Sequence, residues 1–431
     1  MISFSKKLSN HFRSGSFLRH LAILGSGTAL AQAIPILASP ILTRLYSPDD
    51  FAMLAIFMAV VGIFTPIICG KYEVALVLPK SQVQAQHLLG IALYFTFIIS
   101  LILAIAFAFS GPDLLSFLHA DKLGRWIFAV PVAMLLTGIF TAANYYANRN
   151  KDYSLMSKAR VVRALLTTSI GIIAGILGSH FSGLLTGFFA GLACASGYII
   201  IRYRMLPIIR LLKWSKAKKL LLCKYRQYPI YDGATGLLNG LTLSLPVIFL
   251  SRYFPESVVG YFSLVLRVSL TPVSFISASV SQINLKKVVD LINNGKSPIP
   301  FLLKLTALLT TIILVPSIVI IVWGPKLFAL IFGSTWETAG EYARIMMPAI
   351  AIQFLVSTLS TTMWATNHTP LLGMWKLLSF IVTLIIFMWV SKSKDIFFLL
   401  HVFTAANIAL YIIYYCAIIY SAKRPRNFTM K

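Results

Sequence analysis

Three ionisable residues, Asp232, Arg267 and Lys376, stand inside runs of apolar residues long enough to cross a bilayer. A charge at membrane depth costs about 2.5–3.5 kcal/mol on insertion scales, so such a side chain normally faces a partner or a wet cavity. At helical spacing Arg267 shares a face with Ser263, Thr271 and Ser274, whereas the matching place in the first half of the chain holds Val60 and Val61. Such a stripe suits an anion-binding guanidinium, a structural pair with Asp232, or a snorkelling side chain. Lys376 lies a few residues into its run, close to the cytoplasmic end, where it can line a cavity or snorkel. Asp232 shares its face with Gly236, Asn239 and Gly240, leaving room for a coupling ion, H⁺ or Na⁺, or for solvent at a helix end. Gln353, Ser357, Ser360 and Thr361 form a second polar stripe at spacings of three and four. Asn144, Tyr145 and Asn148 add hydrogen-bonding groups to a third run. Amides and hydroxyls of this kind either bind sugar hydroxyls or join helices to one another.

Catalytic signatures are missing. The sequence holds no His-Glu-x-x-His, no Walker loop and no Gly-x-Ser-x-Gly, and its seven histidines are dispersed. Gly25-Ser-Gly27 lies within an apolar run with no preceding strand, which excludes a nucleotide-binding turn. Cys69, Cys194, Cys223 and Cys416 show no Cys-x-x-C spacing, so neither a metal site nor a disulfide framework is expected. The residues suggest no enzyme and no cofactor.

The elements that must position these side chains follow from composition. With 58% apolar and only 12% charged residues, and a mean hydropathy of +0.83, the chain reads as an all-α integral membrane protein. A spanning helix needs about 20 mostly apolar residues. Twelve such runs occur, near 20–42, 51–70, 88–110, 126–147, 163–180, 183–201, 230–251, 258–281, 301–323, 346–364, 371–390 and 396–420. The sixth and seventh are separated by a basic stretch containing LLKWSKAKKLLLCKYRQY, which is amphipathic enough to lie along a membrane surface. The predicted organisation is an N-terminal six-helix lobe over 1–203, a basic cytoplasmic linker over 204–228, and a C-terminal six-helix lobe over 229–431. Glycines at four-residue spacing, Gly171 and Gly175 in the fifth run and Gly183, Gly187 and Gly191 in the sixth, predict close helix packing. Pro35, Pro40, Pro66, Pro246 and Pro272 predict kinks in the first two helices of each half.

The halves are faintly repeated. Leu45-Tyr-Ser-Pro-Asp-Asp-Phe51 opens an apolar run ending in Thr65-Pro66, and Arg252-Tyr-Phe-Pro-Glu-Ser-Val258 opens another ending in Thr271-Pro272, about two hundred residues later. Internal repeats in a membrane protein point to a transporter whose two lobes share a central site.

Basic residues set the orientation. With the N-terminus inside, 28 of the 38 lysines and arginines fall on the cytoplasmic side and eight on the other, where eight acids balance them. Both termini are therefore predicted to be cytoplasmic. The net charge of +26 follows from this topology and calls for anionic lipid rather than nucleic acid as a partner.

Four segments carry a family resemblance: TRLYSPDDFAMLAIF, GKYEVALVLPKSQVQAQHLL, NRNKDYSLMSKARVVRALL and VVGYFSLVLRVSLTP. They resemble bacterial polysaccharide-export flippases of the O-antigen, Wzx type, and the loop from Lys71-Tyr72-Glu73 to Pro79-Lys80 is the most specific of them. The superfamily also holds multidrug and toxin extrusion (MATE) transporters and the lipid II flippase. The resemblance implies a MATE-like fold in the inner membrane that moves an undecaprenyl-diphosphate-linked oligosaccharide to the periplasmic leaflet, alongside other polysaccharide assembly proteins. It implies a cationic central cavity, which Arg267 and Lys376 would serve, with Gln353, Ser357 and Asn144 as further substrate contacts. Lys71, Lys80, Arg160 and Arg163 would stand at the cavity entrance, and Asp232 would take the coupling ion. This chain departs from the family in having few basic residues within the spans of its first half, which favours a neutral or weakly acidic glycan as much as a strongly anionic one. A cation antiporter of the MATE type is the alternative, and a glycan polymerase a third.

Overall fold

In the computed structural model of the protein, residues 14–117, 121–203 and 214–424 are described. The N-terminal arm, the first ten residues of the predicted linker (204–213) and the end of the basic tail lie outside them. The helices in chain order are α1 (Ser14–Leu37), α2 (Ser39–Leu45), α3 (Pro48–Phe64), α4 (Tyr72–Ala75), α5 (Gln82–Phe117), α6 (Ala129–Arg149), α7 (Tyr153–Ile176) and α8 (Phe181–Arg202). They continue with α9 (Lys216–Lys224), α10 (Ala234–Tyr253), α11 (Glu256–Asn293), α12 (Ile299–Phe332), α13 (Glu337–Leu359), α14 (Thr362–Ala365), α15 (Thr369–Val390) and α16 (Ile396–Lys423). Among the described residues, twelve segments are long and apolar enough to cross a membrane, as the sequence predicts. Many of their large apolar side chains face outward, among them Leu308, Val315 and Val322 on α12. That exposure is favourable in lipid and not in water.

Local sequence sets where the helices begin. Ser47 and Asp50 cap α3 reciprocally, the Ser47 amide and hydroxyl donating to Asp50 Oδ2 at 3.0 and 2.8 Å and the Asp50 amide donating to Ser47 Oγ at 3.2 Å. Pro48 fits the first helical turn, where its missing N–H costs nothing, and Asp49 and Asp50 complement the helix dipole. Asp152 caps α7 through the amide of Leu155, and Asp395 caps α16 through those of Phe397 and Phe398. The cap at Asp152 explains one difference from the sequence reading. The fifth span starts at Tyr153, ten residues before the hydropathy run, so Arg160 and Arg163 lie inside a helix rather than in a loop.

The prolines act in two ways. Pro246 and Pro272 fall within continuous helices α10 and α11, whereas Pro66 sits in a 3₁₀ turn, Thr65–Ile67, that ends the second span. The first span is broken at Ala38, between Pro35 in α1 and Pro40 in α2.

By packing, the chain forms two compact units. One comprises residues up to Ala38, Thr65–Ile105 and Pro131–Gly233; the other comprises Ser39–Phe64, Ala106–Val130 and Ala234–Lys431. The first is dominated by α7 against α8 and α1. Gly187 and Gly191 make that approach, since a Cβ on Gly187 would lie 2.5 Å from the Thr167 carbonyl oxygen and one on Gly191 2.6 Å from that of Arg163. In the second unit α3 packs against α10 and α11, and α13 packs against α11, α12 and α16. A helix from the first half of the chain is thus built into the packing of the second.

Candidate functional site

In the second unit, α10, α11, α13, α15 and α16 surround a cavity of about 130 Å³. Its polar lining comes from Thr242, Gln353, Ser379, Thr383, Thr404, Asn407 and Tyr411, and α11 contributes an apolar wall of Phe262, Leu266 and Leu270. No carboxylate belongs to this lining. The Thr404 hydroxyl is buried without a hydrogen-bond partner, and the Asn407 amide donates back to the Phe403 carbonyl at 2.8 Å. This is a neutral, hydrogen-bonding chamber. It suits hydroxyls or water better than a cation.

Of the second polar stripe, Gln353 alone reaches the chamber. The Ser357 hydroxyl donates weakly to Phe354 O at 3.4 Å on its own helix, and Ser360 donates to Ser357 O at 2.7 Å. Thr361 donates to Ser281 O at 3.1 Å, and the buried Asn284 amide donates to the hydroxyls of Thr361 and Thr362, each at 3.0 Å. These groups fasten α11 to the end of α13. Hydroxyls and amides inside a membrane are often used this way.

Arg267 follows Leu266, so helix rotation carries it off the wall of the chamber. It is half-buried, and the described residues of its unit offer it no hydrogen-bonding or charged partner. Its stripe neighbours Ser263 and Ser274 spend their hydroxyls on their own helix, donating to Gly260 O and Thr271 O at 2.8 Å. Lys376 is likewise half-buried, two turns into α15, and has no such partner in its unit. Its neighbour Trp375 is held against α16, stacked on Tyr414 at 4.1 Å.

The first unit holds two further cations within a candidate span. Arg160 donates to Thr28 Oγ1 on α1 at 2.7 Å. The Arg163 guanidinium lies 5.4 Å from the Phe140 ring and 5.8 Å from the Phe188 ring. Aromatic faces stabilise a desolvated guanidinium by about 2 kcal/mol without neutralising it. The candidate span from Tyr153 therefore carries Arg160 as well as Arg163, more basic charge than its hydropathy run indicated. Asn144, on the neighbouring α6, has its carbonyl oxygen buried with no hydrogen-bond partner.

The loop after the second span is built with unusual care. Gly70 and Lys71 both take left-handed backbone conformations, with φ of 60° and 61°. A side chain on Gly70 would meet the Phe95 ring at 2.9 Å, so only glycine fits there. Tyr72, buried, stacks on Phe95 at 5.3 Å and donates to the Leu222 carbonyl at 3.4 Å. Arg149, from the end of α6, donates to the carbonyls of Leu76, Pro79, Lys80 and Ser81. The sequence reading missed Arg149, whose signal was only its place in a helix's last turn. Lys80 is exposed, Lys71 half-buried, and Glu73 buried with only 5% of its surface exposed. The loop packs against a π-helical turn, Tyr228–Gly233, which carries Asp232, itself exposed. Among the described residues no group of three or more His, Cys, Asp or Glu could hold a metal ion.

Known proteins place this architecture. A family described as polysaccharide biosynthesis protein matches residues 41–341. The fold is shared with an inward-facing multidrug resistance MATE family transporter of the MOP superfamily, at TM-score 0.66 and 14% identity over 91% of this chain and 94% of that one. It is shared with lipid II flippase MurJ in an inward closed conformation, at TM-score 0.70 and 15% identity over 93% and 87%. It also matches a MOP superfamily transporter from Pyrococcus furiosus described as having a binding pocket of reverse polarity, at TM-score 0.59 and 11% identity over 94% and 95%. No curated protein matches the sequence significantly.

Proposed function

This multi-pass membrane chain belongs to the polysaccharide biosynthesis protein family and carries the MOP superfamily fold, and on that premise we propose that it is a lipid-linked oligosaccharide flippase. Its substrate on this reading is an undecaprenyl-diphosphate-linked repeat unit of O-antigen or a related surface polysaccharide. Alternating access carries the unit from the cytoplasmic to the periplasmic leaflet of a bacterial inner membrane, with both termini cytoplasmic.

The observation that carries the reading is a set of cations within candidate spans that have neutral surroundings. Arg160 meets a hydroxyl, Arg163 two aromatic rings, and Arg267 and Lys376 no partner in their unit. A guanidinium held in low dielectric without an anion is a costly arrangement that a diphosphate relieves by bidentate, charge-assisted hydrogen bonds. Lys71 and Lys80, on the cytoplasmic loop, would meet the diphosphate first. Gln353 and the hydroxyl-lined chamber would suit sugar hydroxyls.

Cation extrusion of the MATE type is the second reading, favoured by the shared fold. It calls for a carboxylate deep in a span, and the chamber in the second unit is lined without one.

Deleting the gene tests the proposal directly. We expect surface glycan to disappear and lipid-linked repeat units to accumulate on the inner leaflet, with drug sensitivity unchanged. Normal surface glycan in the deletion strain would sink the flippase reading, and drug hypersensitivity would favour the second.

A further inference from the structure

Glu73 is a carboxyl group in a place that punishes its charge. It is 5% exposed, its Oε2 is buried with no hydrogen-bond partner, and it sits two residues from a loop bend whose left-handed backbone at Lys71 is itself unfavourable for a side-chain-bearing residue. The loop is nonetheless clamped, by the Tyr72 stack on one side of Glu73 and by Arg149 on the other. Four titratable groups face the carboxyl: Lys71 and Cys69 from its own loop, Tyr145 from α6, and Asp232 from the π-helical turn. Lys71 is the single cation among them.

We propose that Glu73 is a proton-binding site whose occupancy latches the 70–81 loop against the π-helical turn, and whose ionisation releases it. The balance is one proton: the packed loop takes it from cytoplasmic water, forming a neutral carboxylic acid, and the opened loop returns it. Burial holds the Glu73 pKa above its ordinary 4.5; its own backbone N–H and Lys71 oppose this, and Asp232 reinforces it. The sign follows from linkage. Packing raises the affinity for the proton, so the proton favours packing at low pH, and that contribution is lost as pH rises through the elevated value. The role of the latch in a transport cycle rests on the flippase reading, with the loop as its cytoplasmic gate; the latch itself does not.

Cys69 supplies a native reporter. It is buried at the head of the same loop, its Sγ 3.4 Å from both Thr96 Oγ1 and the Gly138 carbonyl oxygen, whereas Cys194, Cys223 and Cys416 are exposed and can be replaced by serine. In purified Cys194→Ser/Cys223→Ser/Cys416→Ser protein, labelling of Cys69 by a maleimide is followed from about pH 5 to 8, a span between ordinary carboxylate and thiol titration. With Glu73 present, the rate should climb more steeply with pH than thiol ionisation alone accounts for. In Glu73→Gln that excess should vanish and labelling at the upper end should fall about tenfold, which corresponds to about 1.4 kcal/mol of latch strength. Glu73→Asp should keep the excess. Superimposable curves for the parent and Glu73→Gln would overturn the proposal, as would an infrared titration of the parent protein lacking a protonated-carboxyl band that Glu73→Asp shifts. These measurements use no lipid-linked glycan, so they stand whether or not the deletion strain accumulates one.

Discussion

At the scale of single residues, the informative feature is charge without counter-charge. Arg267 occupies a half-buried position on α11 while the hydroxyls beside it bond to their own helix. Arg267→Ala should therefore leave the fold intact and reduce surface glycan in a complemented deletion strain, while Arg267→Lys, which keeps the charge but not the bidentate fork, should restore part of it. Wild-type export by both variants at equal protein level would remove Arg267 from the substrate path. Arg163 makes a different demand, because its planar guanidinium lies near two rings. Arg163→Lys should lose thermal stability by about 0.5–2 kcal/mol in detergent unfolding, since an ammonium recovers less of that stacking. Arg267, Lys376 and Asp232 stood out in the sequence because a charge interrupts an apolar run. Glu73 did not stand out. It lies in a loop between spans, where a charge is unremarkable, and its burial, beside the Gly70–Lys71 bend and the Arg149 contacts, is a product of tertiary structure.

At the scale of elements, the helices were legible and their ends were not. Hydropathy finds the part of a helix that lipid covers, but α7 starts before it, carrying Arg160 within regular helix because the Asp152 cap, and not a change in hydropathy, decides where it begins, and α12 runs beyond its hydropathy run to Phe332. Glycine spacing was legible too, and it marks steric contact. A Cβ on Gly260 would lie 2.0 Å from the Pro48 carbonyl oxygen, and one on Gly340 2.5 Å from that of Gly324. Gly260→Val should lower stability by about 1–3 kcal/mol through forced separation of α3 and α11, read as a drop in the unfolding midpoint. Gly197 has nothing within 4 Å of the added atom, so Gly197→Ala should stabilise α8 by about 0.5–1 kcal/mol. The same measurement on both variants separates packing from helix propensity.

At the scale of the whole molecule, the distribution of basic residues predicts that the segment after α8, with its short helix α9, faces the cytoplasm. Cys223 on α9 is exposed. A membrane-impermeant maleimide should label it in inverted vesicles and leave it untouched in intact spheroplasts; the reverse pattern would invert the topology. The repeated segments around Pro48 and Pro255 predict a division of the chain into halves, whereas the packing of α3 against α10 and α11 was not legible, because sequence order says nothing about which repeat a helix leans on. That contact bears on the history of the duplication. Gly260 rests on Pro48, and the spacing that carries Pro48 to Pro255 carries Met53 to Gly260. A perfectly two-fold joint would be made twice, once by each copy, yet the second occurrence would require a glycine where the buried side chain of Met53 now stands. The two copies have therefore ceased to be interchangeable parts. A chain carrying the first hairpin in both places would bring methionine to the Pro48 carbonyl and could not close this joint, so the asymmetry between the halves is now a condition of assembly.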